Sequence, residues 1–219
     1  MKKALVIGAS GGVGNALALE LQSRGFAVTG VSRSGDGLDV TNKDSVERVL
    51  GGLEGPFDAV FVAIGTLAAG GAPEKALGAI DPARMLDIYA VNAVGPALVL
   101  AQLERLLPQD RASFVGVLSA RVGSIGDNKI GGWHSYRASK AALNQIVRGS
   151  AIELGRKRRS AVVVALHPGT VATEFTRDYP AHKKVSAKDA AADLCDVMEG
   201  LEPSQSGQFF AYDGVEIEW

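Results

Sequence analysis

Tyr136 and Lys140 are the two residues whose types and spacing point most directly to chemistry. They belong to the segment 136–144, YRASKAALN, which is expected to form the exposed first turns of a helix. Because they are four residues apart, their side chains project from the same face of that helix. A nearby ammonium favours the phenolate form of a tyrosine, so the pair predicts a phenol with a lowered pKa that exchanges a proton with a carbonyl oxygen. A packed tyrosine ring beside a solvated lysine is the alternative.

Gly8, Gly12 and Gly14 form a glycine-rich turn with the spacing G-x-x-x-G-x-G, between a short apolar run and an Ala/Leu-rich segment. In a strand–turn–helix unit, glycines at such positions permit a tight turn, close approach of a pyrophosphate and close packing of the helix. The N–H groups at the start of that helix would bind the pyrophosphate. The turn therefore predicts a dinucleotide site, with an ordinary glycine-rich turn as the alternative.

Short apolar runs alternate with helical patterns along the rest of the chain. Strands are predicted at residues 4–7, 26–31, 57–64, 113–118, 161–166 and 207–212, and helices at residues 15–24, 44–50, 81–107, 133–156 and 186–198. Asp81 is the expected N-cap of the 81–107 helix, with Pro82 in its first position. This alternation predicts an α/β fold: a Rossmann-type, doubly wound parallel sheet with helices on both faces, in a three-layer α/β/α arrangement. A single domain over residues 1–219 is expected.

The composition argues against several classes of function. A net charge of −1 and an isoelectric point near 6.3 argue against an electrostatic nucleic-acid or membrane-surface binder. Cys195 is the only cysteine, so no intrachain disulfide is possible, and a buried thiol in a reducing compartment, most simply the cytoplasm, is expected. No metal site is expected, because His134, His167 and His182 show no metal-ligand spacing. No run approaches the roughly 20 apolar residues of a membrane span.

Ser32 and Arg33 follow the second predicted strand, where a ribose-binding carboxylate is expected about 20 residues beyond a glycine turn. No carboxylate occupies that place, and the Arg33 guanidinium suits a phosphate. This favours NADP(H) over NAD(H), unless Arg33 is only a surface loop residue. Asp39 is expected to accept a hydrogen bond from the adenine amino group. The one basic run, residues 156–159, is expected to be a solvated helix end that complements the helix dipole.

Taken in order along the chain, these segments resemble the short-chain dehydrogenase/reductase family, and the resemblance covers nearly the whole length. The residues that carry it are the glycine turn at 8–14, Asp39 and Val40, Asn92, Tyr136 and Lys140, and Pro168, Gly169, Val171 and Thr173. Within the family, residues 120–125 (ARVGSI), 131–133 (GGW) and 136–140 (YRASK) are most similar to C-factor and sniffer-like carbonyl reductases.

The resemblance implies an NADPH-dependent oxidoreductase that reduces an aldehyde or ketone to an alcohol, or catalyses the reverse. Tyr136 would give its proton to the carbonyl oxygen, and Lys140 would hold the nicotinamide ribose and lower the pKa of Tyr136. Asn92 would anchor a water through its backbone carbonyl. Pro96 has no N–H to bond that carbonyl in a regular helix, although a proline also kinks helices for packing alone. The expected cofactor contacts are Gly8, Ser10, Gly12, Val13, Gly14, Ser32, Arg33, Asp39, Val40, Ala63, Gly65, Tyr136, Lys140, Pro168, Gly169, Val171 and Thr173.

The catalytic serine is where the chain departs from the family pattern. The position that matches it holds Ala120, after a strand that ends in Leu118 and Ser119. Ser119 and Ser124 remain as candidates, and Ser119 is preferred, although regular strand alternation would point it the other way. The missing serine keeps open a dinucleotide-binding signalling or regulatory protein with little turnover, and a purely structural α/β module.

The expected partner is a small-molecule carbonyl or alcohol substrate, with no nucleic acid and no membrane. Its pocket is expected to be lined by residues 65–73, 124–133 and 173–184. The helices predicted at 81–107 and 133–156 could pair between subunits in a homodimer or homotetramer, while the similarity to sniffer-like proteins leaves a monomer open.

Overall fold

Six parallel strands form one sheet at the centre of the molecule, in the order β2-β1-β3-β4-β5-β6. The computed structural model describes residues 1–177 and 184–219. The chain runs from β1 to one side to form β2 and then crosses back to β3 on the other side. The C-terminal ends of these strands therefore form the crevice in which such sheets bind ligands. The predicted α/β class, a doubly wound parallel sheet, is confirmed.

The strands and helices lie close to their predicted positions. The strands are β1 (Lys3–Ile7), β2 (Ala27–Val31), β3 (Ala59–Val62), β4 (Ser113–Leu118), β5 (Ala161–His167) and β6 (Phe209–Ala211). The helices are α1 (Gly12–Ser23), α2 (Arg33–Asp36), α3 (Lys43–Gly51), α4 (Pro82–Tyr89), α5 (Gly95–Leu100), α6 (His134–Lys157) and α7 (Ala187–Gly200). The strands β1, β3, β4 and β5 are almost wholly buried, which explains their continuous apolar sequences.

Side chains alternate between the two faces of the sheet, and each face carries its own apolar core. On one face Ile7 and Val117 pack with residues of α3, α5 and α6, and on the other Val6 and Leu166 pack with residues of α1 and α7. Cys195 lies in the second core, where burial raises the pKa of its thiol to about 12. The structure thus places this cysteine as a buried apolar thiol, as expected from its surroundings in the sequence.

The predicted helix over residues 81–107 is correct at its start and wrong in its length. Asp81 caps α4 through its side chain, and Pro82 occupies the first helical position. The helical structure does not continue to residue 107, because α5 ends at Leu100 and a turn and a 3-10 segment, Glu104–Leu106, follow. Leu106 is fully buried there. The helix-like spacing of apolar residues beyond Leu100 therefore comes from a turn that packs into the core.

A π-helical turn, Ala90–Val94, separates α4 from α5. Its wider hydrogen bonding, with the Gly95 N–H bonded to Ala90 O, accommodates Pro96, which has no N–H to donate. Among the described residues, the run Pro82–Leu100 is the one helix long and apolar enough to cross a membrane, judged by length and composition alone. Core helices of globular proteins meet the same criterion, and α4 packs against α6 here.

The basic run at the end of α6 is only partly solvated. Arg156 and Lys157 lie in the last helical turn, where their charges complement the dipole, and Lys157 Nζ donates to Glu104 Oε2 at 2.8 Å. Arg158 is buried instead, and its guanidinium donates to Leu107 O at 3.3 Å. The prediction of a solvated run is therefore wrong for Arg158.

Candidate active site

A cavity of about 360 Å³ opens at the C-terminal ends of β1, β3, β4 and β5. Of the predicted site residues, it brings together Gly12, Val13, Gly14, Ala63, Gly65, Ser119, Tyr136, Lys140, Pro168, Gly169, Val171 and Thr173. The other predicted residues lie outside this lining: Gly8, Ser10, Ser32, Arg33, Asp39, Val40, Asn92 and Ser124. The glycine turn and the Tyr136–Lys140 pair thus line the same cavity.

The glycine turn between β1 and α1 leaves no room for side chains. A Cβ atom on Gly8 would lie 2.4 Å from Ala63 O, and one on Gly14 would lie 2.2 Å from Gly8 O. A Cβ atom on Gly12 would lie 2.6 Å from Thr173 Cγ2, because the segment after β5 closes over the turn. The helix α1 begins at Gly12 without a side-chain cap, so its first N–H groups are available to an anion. This cradle fits the pyrophosphate of a dinucleotide.

Tyr136 lies in the first turn of α6 and is only 6% exposed. The rings of Trp133 and Phe175 flank it, each with its centroid 6.2 Å from that of Tyr136. Burial among these groups raises the pKa of the Tyr136 phenol well above its ordinary value. At neutral pH the side chain is therefore a phenol, the form that can donate a proton.

Lys140 lies one turn further along α6 and is 3% exposed. Its Nζ donates to Leu118 O at 3.0 Å, at the end of β4, and burial lowers the pKa of the ammonium to about 8. The expectation that Lys140 lowers the pKa of Tyr136 is not met by the protein alone. The physical reason is that burial disfavours the charged form of both groups, which raises the pKa of the phenol and lowers that of the ammonium.

The start of α6 is fixed by a residue distant in sequence. Trp133, which precedes the helix, has a left-handed backbone with φ of 51° and provides no side-chain cap. Glu74, in the loop after β3, supplies one: its carboxylate accepts the Ser135 N–H at 3.3 Å and the Ser135 hydroxyl, and its carbonyl accepts the Trp133 N–H at 2.5 Å. Although partial burial opposes ionisation, the hydrogen bonds from Ser135 lower the pKa of Glu74. This contact positions the helix turn that carries Tyr136.

Asn92 is fully buried in the π-turn, and its side chain holds the loop after β3. Its Oδ1 accepts the Thr66 N–H at 2.7 Å, and its Nδ2 donates to Thr66 O at 2.8 Å and to Ser139 Oγ at 3.0 Å. Ser139 lies on α6 between Tyr136 and Lys140. We expected Asn92 to act through its backbone carbonyl and did not predict this side-chain clamp. The role of the carbonyl in proton transfer stays a prediction.

Ser119 and Ser124 are both buried, and both hydroxyls are engaged within the protein. Ser119 lines the cavity, but its Oγ donates to Asn144 Oδ1 at 2.6 Å, on the side of the sheet covered by α6. Ser124 lies outside the cavity lining, and its Oγ accepts the Asp127 N–H at 3.0 Å. Ala120 lines the cavity and has no side-chain donor. The assignment of Ser119 as catalytic serine stays a prediction, and its hydroxyl would have to leave Asn144 to meet a substrate.

The residues predicted to bind the adenosine end of the cofactor lie at the end of β2. Arg33 is exposed and begins the short helix α2, which the sequence did not predict. Asp36 ends that helix, and its Oδ2 accepts the Ser32 N–H at 2.8 Å. The expectation that no carboxylate is available here is therefore wrong, because α2 folds one back to the strand end. Asp39 Oδ1 accepts the hydroxyl and the N–H of Thr41 at 2.7 and 2.9 Å, and these bonds lower its pKa.

The three segments predicted to line the pocket contribute unequally. Of residues 65–73 only Gly65 reaches the cavity lining, since Thr66 is held by Asn92. Residues 124–133, all within the described part of the chain, do not line it, because Gly126 packs against the C-terminal segment and donates to Trp219 O at 3.1 Å. Of residues 173–184, those at 173–176 line the cavity, while 178–183 lie outside the described residues.

Five residues that line the cavity were not predicted to do so: Gly11, Ile64, Leu118, Ala120 and His167. His167 could have been suspected, because it ends β5 directly before the predicted cofactor segment at Pro168. Ser10 is exposed in the glycine turn, and Val40 packs behind the site, 2.9 Å from where a Cβ on Gly95 would lie. These two predicted contacts are therefore not part of the cavity itself.

Sequence comparison shows the family to which the chain belongs. A model of the short chain dehydrogenase family matches residues 2–184. That range includes the glycine turn, the Tyr136–Lys140 pair and five of the six strands described above. The protein is a member of the short-chain dehydrogenase/reductase family of oxidoreductases.

Individual relatives match all or part of the chain. A 1-hydroxy-2-glutathionyl-2-methyl-3-butene dehydrogenase of Rhodococcus sp. (strain AD45) is 32% identical over 236 aligned positions that cover all of both chains. C-signal of Myxococcus xanthus is 37% identical over 144 positions, 66% of this chain and 84% of that protein. The predicted resemblance to C-factor proteins is confirmed by this match.

Solved structures give the same result for the fold. A short-chain dehydrogenase/reductase from Burkholderia multivorans with bound NADP superposes with a TM-score of 0.85 at 28% identity, covering 100% of this chain and 99% of that one. Carbonyl reductase Sniffer of D. melanogaster, 22% identical, shares the fold with a TM-score of 0.80 and full coverage of both chains.

Proposed function

We propose that this protein is an NADPH-dependent carbonyl reductase that converts a small aldehyde or ketone to an alcohol, or catalyses the reverse. One observation carries the proposal: Tyr136 and Lys140 share a cavity with the glycine turn, so a proton donor and a cofactor cradle face the same space. A protein that only bound a dinucleotide would need no buried phenol at this position.

The chemistry divides between the cofactor and the protein. When bound, the reduced nicotinamide supplies a hydride with both electrons to the carbonyl carbon. Tyr136 gives its proton to the carbonyl oxygen, which completes the alcohol, and the resulting phenolate recovers a proton from solvent. A forming alkoxide is far more basic than a phenolate, so Tyr136 can act as the acid although burial raises its pKa. Lys140, on the same helix face, stabilises the phenolate.

NADP(H) is the cofactor because the end of β2 offers a guanidinium for the 2′-phosphate. Arg33 is exposed and free of ion pairs with the described residues, so its planar fork is available to a phosphate. The Burkholderia relative, similar over its whole length, is described with NADP bound, which supports the same cofactor here.

A second candidate function is a dinucleotide-binding signalling protein with little turnover. Two observations favour it: Ala120 replaces the expected serine, and the name of the Myxococcus relative, C-signal, denotes a signal. The buried Tyr136 favours the enzyme, because signalling through a bound dinucleotide requires no acid.

Turnover of NADPH distinguishes these functions. The purified protein is incubated with NADPH and a panel of aldehydes, ketones and quinones while the nicotinamide absorbance is followed. The reverse reaction is tested with NADP⁺ and a panel of alcohols, including the glutathione-conjugated alcohol in the name of the Rhodococcus relative. Turnover of at least one compound is expected. Binding of NADPH without turnover of any compound would favour the signalling protein, and failure to bind a dinucleotide would favour a structural module.

A further inference from the structure

The His167 imidazole lines the cavity at the C-terminal end of β5, and one of its two nitrogens, Nδ1, lacks a hydrogen-bond partner among the described residues. Its Nδ1 is buried, and no hydrogen bond from the described residues reaches it. A buried nitrogen without a partner costs free energy comparable to a lost hydrogen bond, and such atoms are rare in folded proteins. The roles proposed for Tyr136, Lys140 and the glycine turn do not account for this unpartnered nitrogen.

A second buried polar atom without a described partner lies nearby, on Asn144 of α6. Its Oδ1 accepts the Ser119 hydroxyl at 2.6 Å, while its Nδ2 has no partner among the described residues. His167 is next to Ser119 on the neighbouring strand, because Leu118 pairs with Leu166 and the Ser119 N–H donates to Leu166 O at 2.7 Å. Asn144 and His167 thus flank the same serine.

Because side chains alternate along a strand, those of Ser119 and His167 point to the same side of the sheet. Val117 and Ala165 each precede Ser119 and His167 by two residues, and both contribute to the core on the α6 side of the sheet. An amide Nδ2 can only donate a hydrogen bond, and an unprotonated imidazole nitrogen can accept one. The two atoms without described partners are therefore chemically complementary.

The surroundings of His167 keep its ring neutral. Burial lowers its pKa to about 4, and the Arg121 guanidinium acts in the same direction, while the Asp213 and Asp127 carboxylates oppose it only partly. Tyr136 and Lys140 face the same cavity from α6. A neutral imidazole carries one N–H and one acceptor nitrogen, so a hydrogen bond to one nitrogen decides where the proton resides.

We propose that His167 is a substrate-contacting residue that donates a hydrogen bond from Nε2 to the carbonyl oxygen of the substrate. Asn144 donates to His167 Nδ1 through one buried water and so holds the ring proton on Nε2. The imidazole N–H then takes the place of the hydroxyl that Ala120 lacks. Tyr136 remains the acid, because His167 keeps its proton and stabilises only the negative charge that develops on the oxygen. This inference rests on the proposed carbonyl chemistry.

Nuclear magnetic resonance of the whole protein tests the position of the ring proton without any turnover. Histidine is labelled with ¹⁵N in the imidazole, and the His167 signals are assigned by their loss in His167→Gln. The wild-type ring is expected to be neutral with its proton on Nε2 from pH 5 to pH 8, and Asn144→Leu is expected to shift the proton toward Nδ1. A proton on Nδ1 in the wild type, or a ring that titrates near pH 6.5, would overturn the proposal.

Kinetics with a compound that the wild type reduces tests the contact itself. In His167→Leu, kcat/KM is expected to fall at least about tenfold, while the Kd of NADPH changes little. His167→Gln, whose side-chain amide keeps an N–H donor, is expected to retain most of the activity. Full kcat/KM in the folded leucine variant would refute the contact. If the wild type reduces no compound, the proposed function fails, while the resonance experiment still decides whether His167 presents an Nε2–H.

Discussion

The Glu74 carboxylate accepts hydrogen bonds from both the N–H and the hydroxyl of Ser135, the residue before Tyr136. A loop that follows β3 thereby caps the helix that carries the proposed acid, although Glu74 and Ser135 are 61 residues apart in the chain. The clamp of Asn92 on Thr66 holds the same loop near its other end. Because Asn92 also donates to Ser139 Oγ on α6, the loop after β3 and α6 are connected at two places.

Replacing Glu74 by Gln is expected to lower the free energy of unfolding at pH 7 by about 1 kcal/mol, the usual cost of losing a helix cap. The hydrogen bonds from Ser135 lower the pKa of Glu74 in the folded state, so its stabilisation is present above the ordinary glutamate pKa of about 4.3 and is lost as the pH falls. Chemical denaturation at pH 7 and pH 3.5 measures both effects. Glu54→Gln is the matched control, because Glu54 is exposed. Equal losses in both variants at pH 7 would contradict the capping role.

Replacing Asn92 by Ala is expected to destabilise the protein by about 2 kcal/mol, because the part-buried N–H and carbonyl of Thr66 and the buried Ser139 hydroxyl lose their partner. The amide of Thr66 should also exchange its hydrogen faster, which mass spectrometry of the loop peptide detects. Asn15→Ala, at an exposed position on α1, should change the free energy of unfolding by no more than about 0.5 kcal/mol. Unchanged exchange at Thr66 in the Asn92 variant would show that the clamp is dispensable.

The order of strands and helices could be predicted from the sequence because the patterns that indicate it are local. Fully apolar strands and the glycine turn each reflect a constraint that acts within a few residues, and all six strands were found within two or three residues of their ends. The end of α5 at Leu100 could not be predicted from the sequence. Leu106 is buried although it lies in a turn, so the apolar spacing continues beyond the end of the helix. The presence of a carboxylate at the end of β2 could not be predicted either, because Asp36 reaches the Ser32 N–H only when α2 forms.

The site was predictable where spacing along a helix fixes geometry, and not where distant segments meet. Tyr136 and Lys140 were found because positions four apart share a helix face. Glu74 and His167 could not be assigned this way, because their neighbours in space come from other strands and loops. The pKa of Tyr136 was expected to fall, and burial raises it, because the depth of a side chain in a closed cavity is a property of the whole fold.

Arg33 and Asp36 are expected to affect NADPH binding in opposite directions. Arg33→Ala should remove most of the preference for NADPH over NADH, while Asp36→Asn should strengthen NADPH binding about two- to fivefold and leave NADH binding unchanged. The Asp36 carboxylate lies beside Ser32, next to the proposed phosphate-binding Arg33, and both effects should shrink with added salt because Arg33 and Asp36 are exposed. Fluorescence titration with each cofactor measures the affinities, with Asp87→Asn as the control. Equal affinity of the wild type for both cofactors would contradict the assignment of Arg33.

Lys140 is expected to titrate near pH 8 in the protein without cofactor, because burial lowers its pKa from the ordinary value of about 10.4. Between pH 8 and about pH 10.4, Lys140 is protonated in the unfolded chain and largely deprotonated in the folded protein. The contribution of Lys140 to the free energy of unfolding therefore rises with pH across this window. Carbon-13 resonance of labelled lysine side chains measures the titration, and Lys140→Met assigns the signal. Titration at the ordinary value would mean that the ammonium is not desolvated.

The most direct test of the proposed mechanism is the turnover of Tyr136→Phe, which removes one oxygen and keeps the packed ring between Trp133 and Phe175. The variant should bind NADPH nearly as tightly as the wild type, because the glycine turn is untouched. Its kcat for carbonyl reduction should fall at least about a hundredfold, the usual contribution of a general acid. Tyr89→Phe, on α4 and outside the cavity, should behave like the wild type. A Tyr136→Phe variant that reduces the same carbonyl compound at the wild-type rate would contradict the role of Tyr136 as the acid.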